Sequence, residues 1–147
     1  KALAARIAPI TFDVERGRLR FFALSIGLAD PVYTDLDVAR AAGHRDLPVP
    51  LTFLSNSLEL GGHEPLRWLA EIGGLEKRTT HAEQGFTYFE TAYAGDSLIL
   101  ERRIADVYLK KEGALEFVVK ETKVRRDDRI LLEARAVFAL QHPEFAA

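Results

Sequence analysis

Apolar and polar positions along this chain keep two different rhythms, and the change falls near residue 78. Before it the spacing is helical. Leu19, Phe22, Ala23 and Ile26 stand at i, i+3, i+4 and i+7, with Arg16, Arg18 and Arg20 set off that stripe. This predicts an amphipathic helix from Glu15 that Gly27 ends. Ahead of it Ile10, Phe12 and Val14 alternate within Ala8 to Val14, a short strand with Pro9 at its entry. Asp30-Pro31-Val32-Tyr33 reads as an extended turn, after which Thr34 or Asp35 can cap a short helix through Val38, Ala39 and Ala42 that Gly43 stops. Pro48 and Pro50 then forbid helix immediately upstream of Leu51. No breaker follows until Gly61-Gly62, and Leu51, Phe53, Leu54, Leu58 and Leu60 leave only Asn56 and Glu59 strongly polar. A helix apolar on most sides expects burial on most sides. A further helical turn is expected after Pro65, through Leu66, Leu69 and Ile72.

Beyond Arg78 the period drops to two. Gly85 to Glu90 is aromatic and β-branched. Ala94-Gly95-Asp96 turns the chain into a long strand, Leu98 to Leu109, whose alternation slips between Arg102 and Asp106, as one bulge would cause. Lys110 to Gly113 leads into a strand from Leu115 to Arg125, and Arg126 to Arg129 turns again. In the last strand Ile130, Leu132, Ala134, Ala136, Phe138 and Leu140 share one face, against Glu133, Arg135 and Val137 on the other. Early helices and a late antiparallel meander make an α+β chain. One buried helix wrapped by such a sheet is the hot-dog arrangement. Its exposed strand edges predict pairing across a subunit interface.

The bulk numbers narrow the field. At 147 residues and 48% hydrophobic, the chain is expected to be a single domain, 1–147, with a real core. A net charge of −2 gives no electrostatic case for nucleic acid or an anionic membrane surface. No apolar run is long enough to cross a bilayer, and the first six residues are too short and interrupted for a signal peptide. A soluble, cytoplasmic protein is the expectation. With no cysteine there is no disulfide, thiolate metal site or cysteine nucleophile. His44, His63 and His142 lack ligand-like spacing, so neither a metal nor a cofactor is expected.

An ordered set of motifs carries a family likeness. They are Gly17-Arg18-Leu19-Arg20-Phe21-Phe22-Ala23, Asp30-Pro31-Val32-Tyr33-Thr34-Asp35, Ala39-Arg40-Ala41-Ala42-Gly43 and Val49-Pro50-Leu51-Thr52-Phe53, then His81-Ala82-Glu83-Gln84-Gly85-Phe86-Thr87-Tyr88, Ala94-Gly95-Asp96 and Ile104-Ala105-Asp106-Val107-Tyr108. Together they resemble the N-terminal-type MaoC dehydratase family, from about Val14 to Leu140. The resemblance implies a hot-dog fold and reversible addition of water to enoyl thioesters of coenzyme A or acyl carrier protein. Active (R)-specific hydratases of that superfamily carry Gly-Asp-x-Asn-Pro-aliphatic-His, whose Asp and His activate water and move the proton. The corresponding run here is Gly27-Leu28-Ala29-Asp30-Pro31-Val32-Tyr33, with Leu28 and Tyr33 in place of the dyad. Leucine transfers no proton, and tyrosine is a poor base at neutral pH although it can donate. In related two-component dehydratases one hot-dog subunit supplies the dyad and the other shapes the acyl tunnel. This chain resembles the second kind, working as a homodimer or as a heterodimer with a homologous hot-dog subunit.

Within that frame the catalytic candidates are His81, Tyr33 and Asp30. His81 reads either as a proton-transfer group or as a histidine bonded at a strand end. Tyr33 reads as a donor or a packing residue, and Asp30 as a participant or a turn residue before Pro31. Pro50, Leu51, Thr52, Phe53 and Asn56 are the expected substrate-binding residues, because free N–H groups at the start of the central helix can polarise a thioester carbonyl. Glu59 keeps open an acyl-CoA thioesterase, and a non-catalytic acyl-thioester binding module is the other alternative. Arg125, Arg126 and Arg129 read either as a coenzyme-phosphate contact or as a solvated turn.

Overall fold

The chain opens with strand β1 (Arg6–Asp13), helix α1 (Arg16–Ser25), a 3-10 turn at Pro31–Tyr33 and helix α2 (Leu36–Ala41). A short helix α3 (Arg67–Glu71) precedes strands β2 (Thr79–Tyr88), β3 (Ser97–Lys110), β4 (Leu115–Arg126) and β5 (Arg129–Gln141). The computed structural model describes residues 6–54, 67–71 and 78–141. Phe53 and Leu54 are helical, where the sequence predicts the central helix to begin; the rest of that predicted helix, with Asn56, Glu59 and Gly61-Gly62, lies outside the described residues.

Local chemistry sets the helix boundaries. At the end of α1, the Leu28 N–H reaches the Ala23 carbonyl (2.9 Å) and the Gly27 N–H reaches Leu24 (3.1 Å). This reciprocal pair closes a helix only if the residue after it turns left-handed, which Gly27 does at φ 69°. The end of α2 repeats the device with Gly43 at φ 91° and a His44 N–H to Ala39 carbonyl bond of 3.0 Å. Asp35 caps α2, its carboxylate accepting from the N–H groups of Asp37 and Val38. Leu19 and Ala23 of α1 are fully buried, as the spacing predicts, whereas Ile26 sits on the cap and is half exposed.

All five strands join one antiparallel sheet in the order β1-β3-β4-β5-β2. The slip in the long strand is a register break between Ile104 and Asp106, inside the interval where the alternation fails. The inner face carries Phe12, Leu98, Leu100, Val124 and Leu132, which pack with Leu19, Ala39, Phe53 and Leu54 from the helical side. Further along the strands, Ile104, Val118 and Leu140 pack with Trp68 and Leu69 of α3. Lys120 lies on this inner face, 4% exposed, with its ammonium over the rings of Trp68 (4.8 Å) and Phe138 (5.4 Å). The outer face is a lattice of exposed cross-strand ion pairs, Arg103–Glu121 at 2.5 Å, Lys123–Glu133 at 3.1 Å and Arg135–Glu83 at 3.3 Å. Each contributes little to stability, about 0–1 kcal/mol, but together they keep that face wet.

β5 follows its predicted alternation with one deviation. A register break at Val124/Arg125 pushes Leu131 fully inward beside Leu132, so Ile130 leaves the shared stripe and is half buried. Val137 is also fully buried, paired with Val119 across β4. β2 begins at Thr79, six residues before the sequence predicts, and ends at Tyr88.

Candidate active site

The start of the central helix is built by two extended segments. The Val49 N–H donates to the Ala92 carbonyl (2.9 Å) and the Ala94 N–H to the Leu47 carbonyl (3.0 Å), with Pro48 bridged to Tyr93. Two prolines keep the first segment extended. That pairing fixes where Pro50 ends and the helix begins, and the Phe53 N–H closes the first turn on the Pro50 carbonyl at 3.0 Å. Phe53 turns inward, 1% exposed, its ring edge-on to Phe22 (5.2 Å) and Phe12 (6.0 Å). Leu51 turns outward, 62% exposed, and Thr52 is exposed as well. The Tyr88 hydroxyl donates to the Leu51 carbonyl, tying the end of β2 to the helix entry. Burial raises the Tyr88 pKa, so the phenol stays protonated and able to donate. Pro50, Leu51, Leu54, Tyr88 and Phe89 line a cleft of about 180 Å³ at this point.

A buried carboxylate braces the same end. Asp96, 5% exposed, accepts from the Tyr93 N–H (2.9 Å), from Arg126 Nη1 (2.9 Å) and from the Arg45 guanidinium. Burial alone would raise its pKa, but these donors outweigh burial and hold it below the usual carboxylate range. Arg126 also reaches Glu90 (3.2 Å), as does Arg129 (2.5 Å). Arg125 pairs with Glu101 at 3.5 Å. These three arginines therefore spend their charge on the fold's own carboxylates. The segment holding Leu47 is pinned again by Arg16, which forks onto Asp46 at 2.9 and 2.6 Å. That hydrogen-bonded guanidinium holds the Asp46 pKa at about 2.

The remaining candidates fall elsewhere. Asp30 caps the Pro31–Tyr33 turn, its Oδ1 accepting from the Val32 N–H at 3.0 Å. Tyr33 is half buried in that turn, which Arg20 clips to α1 through the Thr34 carbonyl (2.8 Å). His81 is exposed and stacks on Phe138, ring centres 5.1 Å apart at 19°. It stands seven residues from Tyr88 on the same extended strand, roughly 23 Å away. The chain thus gathers Pro50 and Leu51 around Tyr88 and leaves His81 at the far end of β2. Tyr88 and Asp96 are the residues that sequence reasoning missed. Ala94-Gly95-Asp96 signals a turn, and nothing local in it announces two arginine partners.

A five-stranded antiparallel sheet whose inner face packs against Leu19, Phe53 and Leu54, with a cleft beside Pro50 and Leu51, is the hot-dog arrangement. Comparison with known proteins agrees. Residues 1–134 match the family described as FAS1-like, dehydratase domain region, and the chain belongs to that family. The UPF0336 protein of Parafrankia sp. (strain EAN1pec) is 33% identical over 102 residues, 67% of this chain and 64% of that protein. A UPF0336 protein of Clavibacter michiganensis subsp. michiganensis is 38% identical over 100 residues, 65% of each chain. The chain thus spans slightly less than two thirds of these relatives' length. Among solved structures, the HadBC (3R-hydroxyacyl-ACP dehydratase) complex from Mycobacterium tuberculosis superposes with a TM-score of 0.75 at 23% identity, covering 91% of this chain and 93% of that one. A MaoC-like dehydratase gives 0.80 at 17% identity, covering 97% and 44%. The (R)-hydratase from A. caviae involved in PHA biosynthesis gives 0.69 at 16%, covering 95% and 98%. At these identities the structures share the hot-dog fold. No helix among the described residues is long and apolar enough to cross a membrane.

Proposed function

We propose that this chain is the substrate-holding subunit of an enoyl- or 3-hydroxyacyl-thioester hydratase/dehydratase, acting on a coenzyme A or acyl-carrier thioester and completed by a second hot-dog subunit. The observation that carries this reading is the turn from Gly27 to Tyr33. Adding water to an enoyl thioester requires a base to take a proton from water and an acid to return one to carbon. In the hydratase motif that this turn resembles, Asp and His do this work; the resembling positions here are the half-buried Leu28 and Tyr33, and the Asp30 carboxylate accepts from the Val32 N–H. The chain nevertheless keeps a shaped apolar cleft at the helix entry, with Tyr88 holding the Leu51 carbonyl. In this reading Pro50 and the exposed Leu51 and Thr52 present the N–H groups of the helix entry to a thioester carbonyl, and buried Phe53 supports them from inside. Support for a pair of unlike subunits, and for this substrate class, comes from HadBC, a complex named as a 3R-hydroxyacyl-ACP dehydratase.

Crotonyl-CoA tests this directly. The purified chain should leave enoyl absorbance unchanged and release no thiol, while the ligand raises its melting temperature. Loss of absorbance without thiol would show that the isolated chain has its own proton-transfer groups, with His81 the first residue to replace. Release of thiol would select a thioesterase.

A further inference from the structure

The helix-entry cleft is apolar but for one ionised group. Leu51, Leu54, Phe89 and Leu132 give it carbon walls, and among the described residues that line it only Glu90 carries a charge. The Tyr88 hydroxyl is already spent on the Leu51 carbonyl. A carboxylate against an apolar wall loses solvation, so it persists only where fixed partners hold it. Here they do. The N–H groups of Phe89 and Glu90 both reach the Leu131 carbonyl, at 2.9 and 3.2 Å, which anchors the backbone. Arg129 Nη2 meets Glu90 Oε1 at 2.5 Å, and Arg126 Nη2 meets Oε2 at 3.2 Å. Arg126 is itself gripped by the buried Asp96 at 2.9 Å. One guanidinium on each oxygen restrains the orientation of the carboxylate.

The two arginines do not exhaust it. An ionised carboxylate offers about four acceptor positions, and these contacts take one on each oxygen. The Glu90 side chain keeps 26% of its surface open. A pre-oriented acceptor with capacity left, beside an apolar cleft, recognises an N–H donor attached to apolar groups. At about 180 Å³ the cleft is smaller than a complete ligand site, so it takes one end of a molecule rather than the whole.

We infer that Glu90 is a binding residue for the arm of the thioester, its carboxylate accepting a hydrogen bond from the amide N–H nearest the sulfur while the helix entry takes the thioester carbonyl. This rests on the substrate-holding reading. Coenzyme A and acyl-carrier thioesters share the chemistry that Glu90 reads, because in both the sulfur is followed by two methylenes and a secondary amide. A free acyl carboxylate has no such donor. The buried Asp96 gains a purpose in this arrangement: it holds Arg126, and through Arg126 it positions Glu90.

Two small thioesters isolate the N–H. One is crotonyl-N-acetylcysteamine, and the other is the same molecule with its amide N–H replaced by an ester oxygen. Calorimetric binding to the whole chain should favour the amide roughly tenfold, as one hydrogen bond to a charged group does. Glu90→Ala should abolish that ratio, and Glu90→Gln, whose side-chain carbonyl still accepts, should keep part of it. The ratio is taken within each protein, so a loss of fold stability cancels. Asp96→Asn should shrink the ratio by loosening Arg126; a ratio equal to wild type overturns the positioning role. Crotonyl-CoA and crotonyl-loaded acyl carrier protein reveal the carrier by which of them binds wild type more tightly. Glu90→Ala should weaken both by the same factor, and weakening of one alone overturns the assignment, since the shared amide is then not what Glu90 reads. Equal binding of the two small thioesters to wild type, or a preference that survives Glu90→Ala, overturns it as well and leaves the substrate-holding reading standing. Failure of both carrier thioesters to bind sinks the two together, so the failures are distinguishable.

Discussion

The two ends of β2 are held by different physics. At the Tyr88 end, two extended segments are zipped by backbone bonds, a phenol ties strand to helix entry, and a buried carboxylate gathers two guanidinium groups and a backbone N–H. Directional bonds with fixed partners over-determine the position of Leu51. At the His81 end, an exposed imidazole stacks on a half-buried phenyl ring beside a lysine held over aromatic faces. Ring stacking tolerates sliding in a way that hydrogen bonds to a carboxylate do not. The lesson is that the end with a rigid frame can position a substrate. The end built on ring stacking leaves its histidine exposed to solvent.

The largest expected effect breaks the rigid end from inside. Phe53 is 1% exposed and meets two rings edge-on, so Phe53→Ala should cost about 3–5 kcal/mol in a denaturant titration. Phe138→Ala, at the other end, removes a half-buried ring and should cost clearly less. Equal losses would mean that the two ends are packed to the same standard.

Much of this contrast was legible in the sequence, and the part that was not has a physical reason. The bulge in β3 announced itself because a slip moves every later side chain to the wrong face, and alternation reveals that. The caps at Gly27, Asp35 and Gly43 are local events with local signatures. The register break in β2, between His81 and Glu83, was hidden, because exposed residues on an edge strand carry no burial pattern to slip. The Tyr88–Leu51 and Arg126–Asp96 contacts join residues 37 and 30 positions apart, and no short window holds both partners. Asp30, Tyr33 and His81 were singled out for their chemistry, yet the turn uses Asp30 as a cap and the strand carries His81 away from the cleft.

Asp96→Asn is the next break. It keeps the shape but removes the charge facing Arg45 and Arg126, leaving the latter's guanidinium largely shielded from water with Glu90 as its counter-charge. A loss of roughly 1–3 kcal/mol is expected, discounted because Arg45 is half exposed. Crotonyl-CoA should then raise the melting temperature less than in wild type. A ligand-induced shift equal to wild type would show that the hub stabilises the chain without shaping the cleft.

Tyr88→Phe is subtler. It removes one hydroxyl and leaves the Leu51 carbonyl free to meet water, so about 0.5–1.5 kcal/mol of stability should go. If this bond positions the helix entry, acyl-thioester binding should weaken by more than global stability does. Binding unchanged at matched stability would make Tyr88 a packing residue.

The smallest effect is a pH dependence, and its sign is fixed by Asp46. Arg16 holds the folded-state pKa of Asp46 at about 2, whereas an unfolded aspartate titrates near ~3.9. Between those values the unfolded chain binds the proton and the folded chain does not, so stability falls as pH falls. The contribution is fully present above the unfolded value and lost as pH drops toward about 2. Asp96, also depressed, pulls in the same direction. Asp46→Asn should therefore lower stability slightly at neutral pH and flatten the acid limb of the stability profile. The Asp96→Asn protein should keep the part due to Asp46, because the two carboxylates have different arginines. Melting temperatures between pH 5 and pH 2.5 for wild type and both variants give the measurement. An acid limb as steep in the Asp46→Asn protein as in wild type would assign the pH dependence to other carboxylates and remove Arg16–Asp46 from the frame that holds the helix entry.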